Sequence, residues 1–397
     1  MFYREMNMLV LKKLIIGLIF IILIQIDSYS QDSVKQSKIV FNGYVKDLQN
    51  VLFQNIQDDW IFSNIVHNRL NFKWLISPSF RFAAEARTRF VQGNMLSSLS
   101  GYNKTFETDN GIISLTKNIF DEKSFLLNVA VDRLWLEYSS GKFQLTLGRQ
   151  RINWGQTFVW NPNDIFNAYS YFDFDYEERP GSDALRIQYF PGSTSVFEVA
   201  AKVDHNKNLS AAALYRFNKW NYDFQFLGGY IGTNNMVLGT GWAGQILKGG
   251  FRGEATYFHP IKNFMGTRGI LTAAIGYDYS FRNSVFLQVE ALYNGNYDST
   301  DIYTIGLYNN NVSNTNNVFL SDFSVFVSAS YPFTPIFSGS LAGIVNFKNK
   351  MIFILPTLNI SLKDNLDLAF TSQVLQKYSG KTKNGIYLFF ARMKWSF

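Results

Sequence analysis

The sequence predicts an all-β chain, a transmembrane antiparallel β-barrel of about 18 strands with 16 as the alternative count. Three observations predict it. From about residue 38 onward apolar and polar residues alternate with period 2, and helical periodicity is hard to find. The joints between these runs are short and long in turn, as when tight turns gather at one rim and loops at the other. Aromatic residues make up 17% and apolar residues 47% of the 397 residues, yet mean hydropathy is only −0.06, the average that two opposite faces would produce.

The same composition removes other classes. With no Cys there is no disulfide scaffold and no Cys-ligated zinc or iron–sulfur site. The 38 Phe, 22 Tyr and 8 Trp are too many apolar side chains to leave solvated, which excludes disorder. After position 30 no apolar run reaches the roughly 20 residues of a membrane helix. Only 8 Pro and 28 Gly argue against a low-complexity chain.

Residues 1–30 read as a signal peptide. Lys12 and Lys13 precede the apolar stretch Leu14–Ile26, and Ser28-Tyr29-Ser30 before Gln31 is a small-x-small cleavage pattern. The segment contributes +1 to the formal net charge of +7. Residues 31–397 then form one barrel. Strands are expected near 38–48, 62–76, 79–92, 122–139, 142–154, 183–190, 194–204, 208–217, 220–231 and 235–247. Eight more are expected near 250–259, 267–281, 284–296, 318–331, 335–347, 351–362, 366–378 and 385–397. Ser77-Pro78, Ser139-Ser140-Gly141, Pro191-Gly192-Ser193, Asn218-Lys219, Lys248-Gly249, Arg282-Asn283 and Lys363-Asp364-Asn365 are the tight turns. The longest connections, near 93–121, 155–182 and 297–317, are expected outside the cell.

Segment 79–92 shows the two faces best. Phe80, Phe82, Ala84, Ala86, Thr88 and Phe90 take one side, and Arg81, Glu85, Arg87 and Arg89 take the other. Lipid offers no hydrogen bonds to an open sheet edge, so a closed barrel must satisfy the backbone while its outer face stays apolar. At the end of the chain Tyr387, Phe389, Ala391, Met393, Trp395 and Phe397 alternate with Leu388, Phe390, Arg392, Lys394 and Ser396. This amphipathic strand resembles the terminal signal read by the outer-membrane assembly machinery.

Within 142–190, the runs Gly148-Arg149-Gln150, Asn153-Trp154-Gly155, Asn161-Pro162-Asn163-Asp164 and Arg179-Pro180-Gly181 are distinctive. They resemble a signature of large bacterial outer-membrane barrels related to alginate-export and porin-like families. The resemblance covers about 50 residues closely and implies an outer-membrane channel without naming a substrate.

The same stretch breaks alternation. Phe143, Leu145 and Leu147 set a lipid face that would carry Arg149 and Arg151 with it, unless they lie above the hydrocarbon or a bulge at Gly148 turns them inward. In the preceding strand Leu127, Val129 and Val131 lose the outward phase to Leu134, Leu136 and Tyr138. Asp132, Arg133 and Glu137 are then expected to reach the lumen beside the arginines. With Trp154, Asn161, Asp164 and Arg179 they would tie the 155–182 loop into the barrel as a constriction. Asp173, Asp175, Glu177 and Glu178 could hold a divalent cation with Asp164 or Asp183, although a solvated loop explains them as well.

Other chemistries find little support. His67, His205 and His259 are the only histidines, no Gly-x-Ser-x-Gly elbow occurs, and there is no phosphate-binding Gly loop. Scattered Lys and Arg do not make a nucleic-acid surface. The chain is expected to be a bacterial outer-membrane porin or passive solute channel, with no enzyme activity, metal or cofactor. Arg69, Lys73, Arg81, Glu85, Arg87, Arg89, Glu198 and Lys202 would line the pore and set a mild anion preference. The alternative is a non-conducting barrel that scaffolds polysaccharide or protein export. Expected partners are membrane lipid, lipopolysaccharide, the assembly machinery, small solutes or ions, and further copies of the chain.

Overall fold

A computed structural model of the protein describes residues 37–57, 59–167, 178–179, 181–232, 234–262, 264–295, 322–379 and 382–397. The chain divides into Met1–Lys38 and Ile39–Phe397, and the second unit is the barrel. The expected signal peptide, the acidic Asp173, Asp175 and Glu177, and the connection 297–317 lie outside the described residues.

Among the described residues nineteen strands follow in chain order. They are β1 (Ile39–Phe53), β2 (Ile61–Leu75), β3 (Phe80–Gln92), β4 (Thr116–Asp121), β5 (Phe125–Ser140), β6 (Phe143–Gln150) and β7 (Ser182–Gly192). Next come β8 (Ser195–Val203), β9 (Leu209–Lys219), β10 (Tyr222–Ile231), β11 (Asn235–Ile246), β12 (Gly249–Pro260) and β13 (Ile270–Ser280). The rest are β14 (Phe286–Asn294), β15 (Phe323–Thr334), β16 (Phe337–Asn346), β17 (Met351–Lys363), β18 (Leu366–Ser379) and β19 (Thr382–Ser396). Two single-turn helices, α1 (Met95–Ser98) and α2 (Tyr102–Thr105), lie between β3 and β4.

Every pairing is antiparallel, and β1 closes the ring on β19. At that seam Gly43 and Phe397 exchange both backbone hydrogen bonds at 3.0 Å. β4 is the extra strand. It pairs only with β5, Thr116 to Asp121 along Ala130 to Leu126, while β6 pairs with the same edge lower down, Phe143 to Arg149 along Ser140 to Leu134. β6 and β4 therefore share one column of the wall. The closed barrel has eighteen columns, the expected number.

Pleating divides the faces as the alternation predicts. Leu147, Leu238, Phe226 and Leu341 are each more than half exposed on the outer face, which has the apolar character that lipid requires. Aromatic pairs cluster near both strand ends. Phe80–Tyr138 at 5.0 Å and Phe333–Phe337 at 4.9 Å lie by the short turns, and Phe53–Trp60 at 5.0 Å lies by the loops. Two-residue turns at Trp220-Asn221 and Leu247-Lys248 hold both central residues at positive φ, the primed geometry of tight hairpins. They sit two residues and one residue away, respectively, from the predicted joints, because Lys219 pairs with Tyr222 and Ile246 pairs with Gly249.

Three further features of the wall have physical causes. In β5 the phase break is a bulge: Glu85 opposes Arg133 and Ala86 opposes Val131, leaving Asp132 as the extra residue. Strand 142–154 stops at Gln150, because the chain then leaves the wall. The 93–121 connection turns its apolar side inward, with Met95, Tyr102 and Phe106 buried in one cluster with Leu48, Ile65, Val91 and Leu126.

Candidate pore constriction

The chain that leaves the wall at Gln150 folds against the inside of the barrel. Ile152, Trp154, Ile165 and Phe166 are nearly fully buried, packing over the inner faces of β7 to β12. Small inward residues there (Ala184, Ala200 and Ala212) make room for them. Trp154 and Phe166 meet edge to face at 5.0 Å.

Polar anchors come from strands spread around the wall. Trp154 donates its indole N–H to Glu198 on β8 at 2.6 Å, and Gln225 on β10 donates to the Trp154 carbonyl at 2.7 Å. Glu254 on β12 accepts the backbone N–H groups of Gln156 at 2.6 Å and Asn163 at 3.0 Å. Glu290 on β14 accepts those of Phe158 at 2.9 Å and Trp160 at 2.8 Å, with Val159 between them at 3.2 Å. Asn163 also takes a hydrogen bond from the Thr256 hydroxyl and donates to the Thr240 carbonyl. Buried backbone donors in a loop need such partners, and carboxylates supply the strongest neutralising acceptors. Lys202 on β8 donates to the Phe166 carbonyl at 2.5 Å.

The other end of the loop is held by β5 and β2. Arg133 donates to the carbonyls of Glu178 at 2.7 Å and Arg179 at 2.8 Å. Asp132 joins Arg69 and Arg87, and Arg69 also joins Glu85 at 2.6 Å. Tyr44 donates to Glu178 at 2.7 Å. Glu137 pairs with Arg81 and accepts from Gln144. Asp164 is buried in the loop beside the cations of Arg151, Arg179 and Lys202. Burial pushes its carboxyl up to about 6 against the pull of those three charges.

Arg149 lies apart from this set. It keeps the parity of Leu147, and the fork of its guanidinium spans Asp183 at 2.7 and 3.0 Å, Asp109 at 2.7 Å and the Ile113 carbonyl at 2.7 Å. It rivets the segment leading into β4 onto the end of β6. Gly111 crosses the guanidinium so closely that a Cβ would stand 2.0 Å from it. Gly148 holds φ +115° where a Cβ would meet the Leu134 carbonyl at 2.2 Å. Asp132 thus clusters with Arg69, Arg87 and Glu85, and Arg133 holds the loop's carbonyls, while Glu137 with Arg81, and Arg149 with Asp109 and Asp183, make separate pairings. Asn161 packs under Gly155 at the loop's first bend.

Of the expected pore residues, Arg69, Glu85, Arg87, Arg89, Glu198 and Lys202 share the inward parity of β2, β3 and β8, while Lys73 and Arg81 lie exposed near the short turns. Lys394, Lys46, His67 and Arg89 stand side by side along one register across β19, β1, β2 and β3. Sequence reading missed Lys46, Gln225, Glu254 and Glu290. Each is one polar residue at an inward position of an otherwise unremarked strand. Among the described residues no group of three or more His, Asp or Glu could hold a metal ion.

No protein-family model matches the chain, and no curated protein matches it. Solved structures do share the fold. OccAB4 of Acinetobacter baumannii is 11% identical with a TM-score of 0.55, covering 91% of this chain and 99% of its own. The outer membrane protein OpdK of Pseudomonas aeruginosa is 10% identical with a TM-score of 0.55, covering 90% and 98%. Pseudomonas aeruginosa OprD is 8% identical with a TM-score of 0.54, covering 90% and 95%.

Proposed function

We propose that this chain is a passive solute channel of the bacterial outer membrane, exported and seated in lipid and lipopolysaccharide, with a mild preference for anions. The observation that carries the reading is the inward loop: residues 151–167 narrow the lumen of an 18-column barrel, which is wide enough to hold an aqueous path. The register row that sets Lys394, Lys46 and Arg89 around His67, beside Arg69 and Arg87, supports the anion preference through its lysines and arginines. Part of that charge is balanced, since Asp132, Glu85 and Glu178 approach Arg69, so the preference is weak. Kinship with alginate-export barrels, suggested by the Gly148–Gly181 signature, belongs to the same reading. In this account Asp132, Arg133, Arg179, Trp154 and Asp164 hold the constriction, and Arg149 holds the wall beside it.

Swelling of liposomes carrying the purified protein tests the proposal. Small neutral and anionic solutes should enter, and anions should enter faster than cations of equal size. Vesicles that do not swell in any small solute would support the non-conducting scaffold instead.

A further inference from the structure

Beside the loop tip lies a cavity of about 200 Å³, bounded on one side by Phe158 and Val159 and on the other by Gln288, Phe326, Ala342 and Leu355 on β14 to β17. The tip is held by one side chain. Glu290, fully buried, receives three consecutive backbone N–H groups from Phe158, Val159 and Trp160, about 130 residues earlier in the chain. Successive N–H groups that converge this way form an anion-binding concavity. Among the described residues Glu290 makes no ion pair, and its two oxygens are taken up by these three donors. The Arg252 guanidinium, on β12 two strands from Glu290, lies 3.6 Å from the centre of the Phe158 ring and backs the tip.

We propose that Glu290 is a positioning residue that sets the width of the pore: by docking the Phe158–Trp160 tip it fixes the slit between that tip and the wall of β14 to β17. The inference rests on the channel reading and names the residue that governs its selectivity by size. Glu290→Ala removes the one side chain that these three N–H groups share as acceptor, and the tip loses its anchor to β14. Glu290→Gln keeps one acceptor oxygen but turns N–H₂ toward N–H. Glu290→Asp keeps the carboxyl group on a shorter side chain.

The test is single-channel recording in planar bilayers together with liposome swelling in neutral sugars of increasing size. Glu290→Ala should raise conductance by about twofold or more and admit larger sugars, since a constriction dominates the resistance of a wide pore. Glu290→Gln should fall between, and Glu290→Asp should return towards the parent. Glu290→Ala protein that stays heat-modifiable on gels, with unchanged conductance and size limit, overturns the proposal. A second measurement stands apart from conduction. Because the chain has no Cys, Val159→Cys, at a position only 3% exposed, reports tip docking through its rate of thiol labelling. Labelling should accelerate at least about tenfold when Glu290→Ala is added, as local opening predicts. An unchanged rate refutes the docking role even if the channel reading fails.

Discussion

Replacing Arg149 with Met should release the wall segment that carries β4 while the rest of the barrel persists. The guanidinium makes five hydrogen bonds: two to Asp183, and one each to Asp109, the Ile113 carbonyl and the Val131 carbonyl. Arg149 is 7% exposed, and the side chains of Asp109 and Asp183 are 9% and 14% exposed. Removing one partner of a buried pair costs about 3–5 kcal/mol, because the remaining charge stays buried without compensation. The lower figure corresponds to about a hundredfold rise in the open population, at roughly 1.4 kcal/mol per factor of ten. β4 carries Lys117, which is exposed but held in strand pairing with Val129. Trypsin cuts it only when the strand opens, and at low protease the cutting rate follows the open population. Cleavage at Lys117 should therefore rise about a hundredfold in Arg149→Met, and less in Arg149→Lys, which keeps charge but loses the fork. A rate within about threefold of the parent would refute the rivet.

Asp164 ionises near pH 6 in the folded loop and near 3.8 in an ordinary setting. Below pH 6 it no longer offsets Arg151, Arg179 and Lys202, so anion preference should step upward as pH falls from about 7 to about 5. Reversal potentials across that range test this, and Asp164→Asn should abolish the step. The folded state holds the proton more tightly, so this group favours folding most in acid, and that contribution is lost as pH rises through about 6. On the outer face, Leu238→Arg replaces a residue of β11 that is 63% exposed. Refolding into lipid vesicles should lose about 2–4 kcal/mol if that position lies near the bilayer midplane, and an unchanged denaturant midpoint would mean this face does not meet lipid.

Much of the barrel was legible in the residues. All eighteen predicted strands occur, because a pleated wall between lipid and a polar lumen imposes period 2 on every strand. Even the shift at Asp132 could be read, since a bulge moves the apolar phase by one residue. β4 escaped notice because its Thr-Lys-Asn-Ile-Phe-Asp run is short and mixed, and its pairing depends on β6 ending early. Nothing local to Arg149 reveals Asp109 or Asp183, which lie 40 and 34 residues away. Glu254 and Glu290 were hidden for another reason. Their partners are backbone N–H groups, which every residue carries, so each glutamate looks like any polar side chain facing water.

The central claim is that the inward loop narrows the lumen without sealing it. Recording the purified protein in planar bilayers under a salt gradient tests this most directly. The account predicts discrete, reproducible current steps with a reversal potential displaced modestly toward anions. A membrane that holds folded, heat-modifiable protein and shows no steps would contradict it.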